Sequence, residues 1–353
     1  MWKKFLVRAG IVDGALLGLV VLLALAGWIF VASLQLDREP VADPATRAED
    51  LPFLSGRVDE SRGRILAVVA STERFPDDSR KAGYELTELS RAYWVFRANG
   101  YEVDIASPRG GSAPMVLDDD LTEADYAFLN DADARARIAD TLPLATVDPE
   151  QYQAVYFVGG KGAMFDFAGD AEVGRIIRAI YPRGVVGAVC HGPAALLGIV
   201  LDDGRPLLQG RRVAGFTNAE ELFLIKDARE RFPFLLQDAL TTEGAHFVEA
   251  PAYLDNTVVD GHLVTGQNPW STWSTAEAMI RALGHTPVPR EPTREEQSIR
   301  LLATYHDKGL AAAVDEKRSA PASDKRLLLL HALIAAMQWR LGQAWELQRL
   351  ARA

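Results

Sequence analysis

The sequence predicts an α/β protein: a doubly wound, mostly parallel, flavodoxin-like sheet with helices on both faces, plus an N-terminal transmembrane helix and a C-terminal helical extension. Three observations predict it. Between residues 64 and 284, short apolar β-branched runs alternate with amphipathic helical patterns, the rhythm of β–α–β units. Residues 14–34 contain no charged side chain. From residue 285 onward, prolines end the rhythm and helical patterns follow. The expected divisions are 1–34 (N-terminus and anchor), 35–63 (tether), 64–284 (catalytic domain) and 285–353 (helical extension).

The N-terminal run is about as long as the roughly 20 apolar residues that cross a bilayer. Lys3, Lys4 and Arg8 precede it, while Asp37, Glu39 and Asp43 follow. The positive-inside rule then predicts a single-pass membrane protein, amino terminus cytoplasmic and catalytic domain on the outer side. Cleavage near Val31-Ala32-Ser33, giving a secreted protein, is the alternative. Residues 35–62, with Pro40, Pro44 and Pro52 among many charges, read as a surface tether.

Strands are expected at 64–70, 101–106, 154–158, 185–189, 212–216 and 262–265. Helices are expected at about 84–99, 171–181, 192–200 and 272–283, and the acidic insert at 115–148 reads as mostly helical. In the extension, 294–314 reads as one helix. After the break at Ser319 to Ser323, a second places Leu327, Leu330, Ile334, Met337, Leu341 and Trp345 on one stripe. That stripe is expected to pack on protein, a membrane surface being the alternative.

Composition narrows the function. The chain has 353 residues, 48 acids against 38 bases and a net charge of −10, which argues against a nucleic-acid partner. A single cysteine excludes an intrachain disulfide and a Cys-rich metal site. His246, His262, His285, His306 and His331 lack metal-ligand spacing and read as surface or cap residues. No metal and no cofactor are expected.

The chemistry centres on Cys190. Gly184-Val-Val-Gly-Ala-Val-Cys190-His191-Gly192-Pro193 reads as a buried strand, a sharp turn and a helix start. Such an elbow raises a nucleophile at the carboxyl end of the sheet, and a helix start beside the sulfur favours thiolate.

The stretch Ala188-Val-Cys-His-Gly-Pro-Ala-Ala-Leu196 resembles the nucleophile elbow of the DJ-one/PfpI superfamily, with its class I glutamine amidotransferase-like fold. It is closest to the branch of heat-shock chaperones and glyoxalase III. Gly83-Tyr-Glu-Leu-Thr-Glu88, Tyr101 to Gly111, Val158-Gly-Gly160-Lys-Gly, Gly204 to Glu221 and Thr265-Gly-Gln-Asn-Pro269 agree with it in order and spacing. The resemblance implies Cys190 as nucleophile and Glu88 as its acid/base partner. It implies His191 as second proton-transfer group, oriented by Glu221 with Glu220 as the alternative. The N–H groups of Gly160 and His191 would form an oxyanion hole. Lys161 stands where this branch usually carries histidine, and a cation bordering the pocket favours an anionic substrate group.

The resemblance implies a cofactor-independent enzyme that hydrates methylglyoxal-type α-oxoaldehydes to hydroxy acids, with a small carbonyl compound as substrate and a homodimer as assembly. The alternatives are a PfpI-type amidase or peptidase, and a non-enzymatic holdase or oxidative-stress protein in which Cys190 is oxidised.

Overall fold

The apolar runs form strands at the heart of a seven-stranded sheet in the computed structural model, which describes Leu25 and residues 32–77, 80–117, 121–320 and 322–353. Chain contacts divide the molecule into two units, residues 41–292 and residues 1–40 with 293–353.

In the first unit the strands are β1 (Gly63–Val68), β2 (Tyr84–Glu85), β3 (Tyr101–Ser107), β4 (Met115–Val116), β5 (Leu142–Pro143), β6 (Ala154–Phe157), β7 (Val185–Val189), β8 (Arg212–Val213), β9 (His246–Phe247), β10 (Thr257–Asp260) and β11 (Leu263–Gly266). The main sheet runs β10-β11-β7-β6-β1-β3-β5. It is parallel except for β10, which pairs antiparallel with β11 at the edge. The pairs β2–β4 and β8–β9 stand apart as two-stranded sheets.

The helices of this unit include α1 (Leu86–Ala98), α2 (Glu123–Asn130), α3 (Ala132–Ala139), α4 (Ala171–Ile180), α5 (Asn218–Leu224) and α6 (Thr272–Ala282). Strand β7, Val-Val-Gly-Ala-Val, is buried at every position because it lies between β6 and β11 with helices against it. Its register with β6 (Tyr156 opposite Gly187) and β11 (Val189 opposite Gly266) fixes where the chain leaves the sheet, one residue before Cys190.

The unit of residues 1–40 and 293–353 contains α7 (Arg294–Ser319), α8 (Lys325–Met337) and α9 (Leu341–Arg352). Thr293 and Glu296 form a capping box at the start of α7, and Asp324 caps α8. Lys317 donates to the last carbonyls of α9, at Leu350 and Ala351. Arg326 donates to the Leu36 carbonyl and Arg352 to the Ser33 hydroxyl, tying residues 33–36 to the helices.

Several expectations are corrected. The single-pass membrane assignment is not upheld: among the described residues no helix is long and apolar enough to cross a membrane. Most of the run read as the anchor, residues 14–24 and 26–31, lies outside the described residues. Residues 41–63, read as tether, carry short 3-10 helices with Thr46 and Leu51 buried. The acidic insert holds two eight-residue helices, α2 and α3, between short strands. The segment after Cys190 is a five-residue 3-10 helix, Gly192–Leu196, which Leu197 ends in an extended conformation.

The continuous stripe of the tail is broken. Trp339 adopts a left-handed backbone (φ 61°) between α8 and α9, and Leu330, Met337, Leu341 and Trp345 are exposed. The face of α8 that packs is Leu327, Leu328, His331, Ala332 and Ala335, and that of α9 is Leu347, Leu350 and Ala351. His331 is therefore a core residue of this unit, not a surface one.

Candidate active site

Cys190 follows the last residue of β7 in a left-handed backbone conformation, φ 58°, which a side chain with a Cβ rarely adopts. Such an outlier costs on the order of 1–3 kcal/mol and persists only where the surroundings determine it. Here they do. The Cys190 N–H donates to the Gly266 carbonyl at 3.0 Å and its carbonyl accepts from the Phe216 N–H at 2.8 Å. The strain turns the sulfur out of the sheet's hydrogen-bonding pattern and into a cluster of proton-carrying groups.

On one side, Cys190 Sγ lies 3.3 Å from His191 Nδ1, and His191 Nε2 lies 2.6 Å from Glu221 Oε2. A carboxylate there accepts the Nε2 proton, which leaves Nδ1 as the acceptor facing the thiol. Both partners are buried. The imidazole also packs 4.6 Å from the Phe216 ring and 6.1 Å from the Phe232 ring, so its position is fixed by contact as well as by hydrogen bonding.

On the other side, the carboxyl of Glu88 hydrogen-bonds to the sulfur. Glu88 comes from the first turn of α1 and is fully buried, and its Oε2 accepts the Gly159 N–H at 2.8 Å. The approach depends on glycine: a Cβ at Gly159 would stand 2.4 Å from Glu88 Oε2 and 2.8 Å from Cys190 Cβ. Gly160 follows at φ 98°, its missing Cβ occupied by the backbone of Gly83, Tyr84 and Glu85. Among the described residues the N–H groups of Gly160 and His191 have no protein acceptor.

The alternatives at the acid that orients histidine separate cleanly. Glu221 meets His191. Glu220, its neighbour, faces away and accepts from Thr217, Tyr253, Gln267 and Asn268. Lys161, read as a cation bordering the pocket, lies 3.8 Å from Glu85 Oε1.

The charge state of the sulfur differs from expectation. Burial pushes the Cys190 thiol well above its ordinary range, and the carboxylates of Glu88, Glu85 and Glu220 add to that. The expected thiolate bias rested on a helix start, but five residues of 3-10 helix supply little dipole. These surroundings favour the thiol over the thiolate at Cys190. No group of His, Cys, Asp and Glu that could hold a metal ion occurs among the described residues.

Sequence reasoning gave no role to Gly159, Glu85 or Phe216. Gly159 is the first of two glycines closing a buried strand, a pattern that signals close backbone approach. Glu85 shares a motif with Glu88, and nothing local shows that both face one sulfur.

The chain is similar to several known proteins. Glyoxalase 3 of Candida albicans is 32% identical over 230 residues, covering 62% of this chain and 97% of that protein. The glutathione-independent glyoxalase HSP31 of Saccharomyces cerevisiae is 34% identical with the same coverage. The crystal structure of glyoxalase III from Candida albicans superposes with a TM-score of 0.58 at 29% identity, over 62% of this chain and 97% of that one. Rapid Encystment Protein 24 kDa of Francisella tularensis gives 0.59 at 30% identity, over 63% and 99%. The family model that describes the DJ-1/PfpI family matches residues 80–282, more than half of the sequence, and the chain belongs to that family.

Proposed function

We propose that the protein is a glutathione-independent glyoxalase that converts a methylglyoxal-type α-oxoaldehyde to a hydroxy acid, with Cys190 as nucleophile. The observation that carries this is a single thiol within hydrogen-bond reach of two separate proton-moving groups, His191 at 3.3 Å and the buried Glu88. The relatives named glyoxalase 3 and glutathione-independent glyoxalase support the same reading.

The chemistry follows from the arrangement. Substrate carbonyl carbon and sulfur form a bond as the thiol proton passes to His191 Nδ1, with Glu221 stabilising the imidazolium through Nε2. The oxygen that gains charge is met by the N–H groups of Gly160 and His191, both without a protein acceptor among the described residues. Protonation of that oxygen gives a hemithioacetal. Its C–H proton then leaves to Glu88, forming an enediol, and a proton returns to the neighbouring carbon. The aldehyde carbon is thereby oxidised to a thioester while the ketone carbon is reduced to an alcohol. No external electron carrier is needed. Water adds to the thioester, and the sulfur leaves as thiol with the hydroxy acid released.

An amide hydrolase would use the same Cys–His pair, but it has no step for a second acid/base group held against the sulfur. Glu88 favours the isomerising reaction. A homodimer is part of the proposal, read by light scattering of the full chain.

The test is the full chain with methylglyoxal and no glutathione, lactate being measured against aldehyde consumed. Lactate matching the aldehyde lost, and absent in Cys190→Ala, is the expected result. Aldehyde lost without lactate would mean scavenging by amines or thiol and would remove the reading.

A further inference from the structure

Lys161 follows Gly160 in the turn after β6; its side chain is about three-tenths exposed and its ammonium lies 3.8 Å from Glu85 Oε1. Glu85 is the residue before α1, buried, three positions ahead of Glu88. The two segments are already clamped at the backbone: the Glu85 N–H donates to the Gly159 carbonyl and the Gly162 N–H to the Gly83 carbonyl. The ion pair therefore closes a clamp between the turn carrying Gly160 and the helix carrying Glu88.

We infer that Lys161 is a positioning residue that acts through Glu85, holding its carboxylate and cancelling its charge beside the nucleophile, and that it does not serve as a docking cation for a substrate carboxylate. The inference rests on Cys190 being the nucleophile, as proposed above.

The charges acting on the sulfur make the case. Glu88 comes from α1 and Glu85 from the residue before it; Glu220 comes from α5, with Glu221 behind His191; the Tyr156 phenol comes from β6, and Lys161 of the glycine turn pairs with Glu85. Acids outnumber the one lysine. The Glu85 carboxylate, like that of Glu88, disfavours thiolate at Cys190, so what neutralises Glu85 eases proton loss from sulfur. A substrate with its own carboxylate would enter a field that is negative overall and would compete with Glu85 for the same ammonium. A neutral α-oxoaldehyde meets neither obstacle. The coupling has a physical reason: lysine is a flexible, strongly hydrated cation. Without Glu85 to hold it, the ammonium moves into solvent and its field on the sulfur is screened.

Cys190 is the only thiol, so alkylation of the full chain reads it directly. Neutral iodoacetamide and anionic iodoacetate share one reaction and differ in charge. Lys161→Gln should slow both reagents equally, by about three-fold for a half-unit rise in the thiol midpoint, and Lys161→Arg should restore both rates. In a Glu85→Gln background the same lysine substitution should change the rates less than it does beside Glu85. Circular dichroism confirms that each variant is folded. Slowing of iodoacetate alone would make Lys161 an anion-docking residue and overturn the inference, as would unchanged rates for both. These readouts need no turnover: failure of the glyoxalase reading appears as missing lactate with the alkylation pattern intact.

Discussion

The two units of the chain treat polarity in opposite ways. The α/β unit buries carboxylates: Glu88, Asp125, Glu220 and Glu221 all lie inside it. The helical unit of residues 1–40 and 293–353 leaves Trp339 86% exposed, with Met337, Leu341 and Trp345 also in solvent. In the first, each buried charge has a partner set that defines its work. Asp125 is held by Ser90, Arg91 and Thr122 and anchors α2; Glu220 ties the loop at 253 and 267–268 to α5; Glu221 holds His191. In the second, stability rests on apolar contact within a narrow face, and the remaining apolar surface is unpaired among the described residues. Burial of charge marks the site; burial of hydrocarbon marks the frame.

The sharpest contrast lies between two adjacent residues. Glu221→Gln should lower turnover by about 10²- to 10⁴-fold, the usual worth of a positioned acid/base pair, with the melting temperature nearly unchanged. Glu220→Ala should do the reverse in emphasis. It removes the acceptor of five hydrogen bonds and costs about 3 kcal/mol or more, read by denaturant unfolding. Equal effects on rate and stability in both variants would erase the division of labour.

In the helical unit, Leu328 is fully buried, and Leu328→Ala should cost about 2–5 kcal/mol. His331 provides a pH test of the same core. Burial, with His306 nearby, lowers its pKa from 6.5 to about 4. Between those values the imidazole is neutral when folded and charged when unfolded. Stability is therefore full above about pH 6.5 and declines by up to about 3 kcal/mol as pH falls toward 4. Melting at pH 7.5 and 4.5 should show this loss in wild type and less of it in His331→Leu. The smallest effect belongs to the exposed face: Trp339→Ser and Trp345→Ser should each change unfolding free energy by about 0.5 kcal/mol or less.

The legible parts of the fold were those written locally. Val185 to Val189 is five apolar residues ending at a Cys-His-Gly-Pro turn, and strand and elbow could both be read there. Edge strand β10 was missed because Thr257-Val-Val-Asp260 is four residues with an exposed Val259, too short and mixed to show a period. The tail stripe failed at Trp339, since a non-glycine residue in a left-handed conformation has no local signature. At the site, residue types were legible and their electrostatics were not. Glu85 and Glu88 lie about a hundred residues before Cys190 and Glu220 lies 30 after it, and only the packed sheet brings their charges to bear on one sulfur.

The central claim is that Cys190 rests as a thiol, deprotonated in the reaction by His191, while Glu88 moves the carbon-bound proton. Glu88→Gln in the full chain separates these roles with two readouts on one sample. Removing the carboxylate lowers the thiol pKa, so iodoacetamide should alkylate Cys190 faster at pH 7.5. Lactate formation from methylglyoxal should fall by about 10²-fold or more, because the proton at carbon has lost its acceptor. Rates that move in opposite directions are the predicted result. Alkylation and lactate formation falling together would mean that Glu88 activates the thiol itself, and would contradict the account.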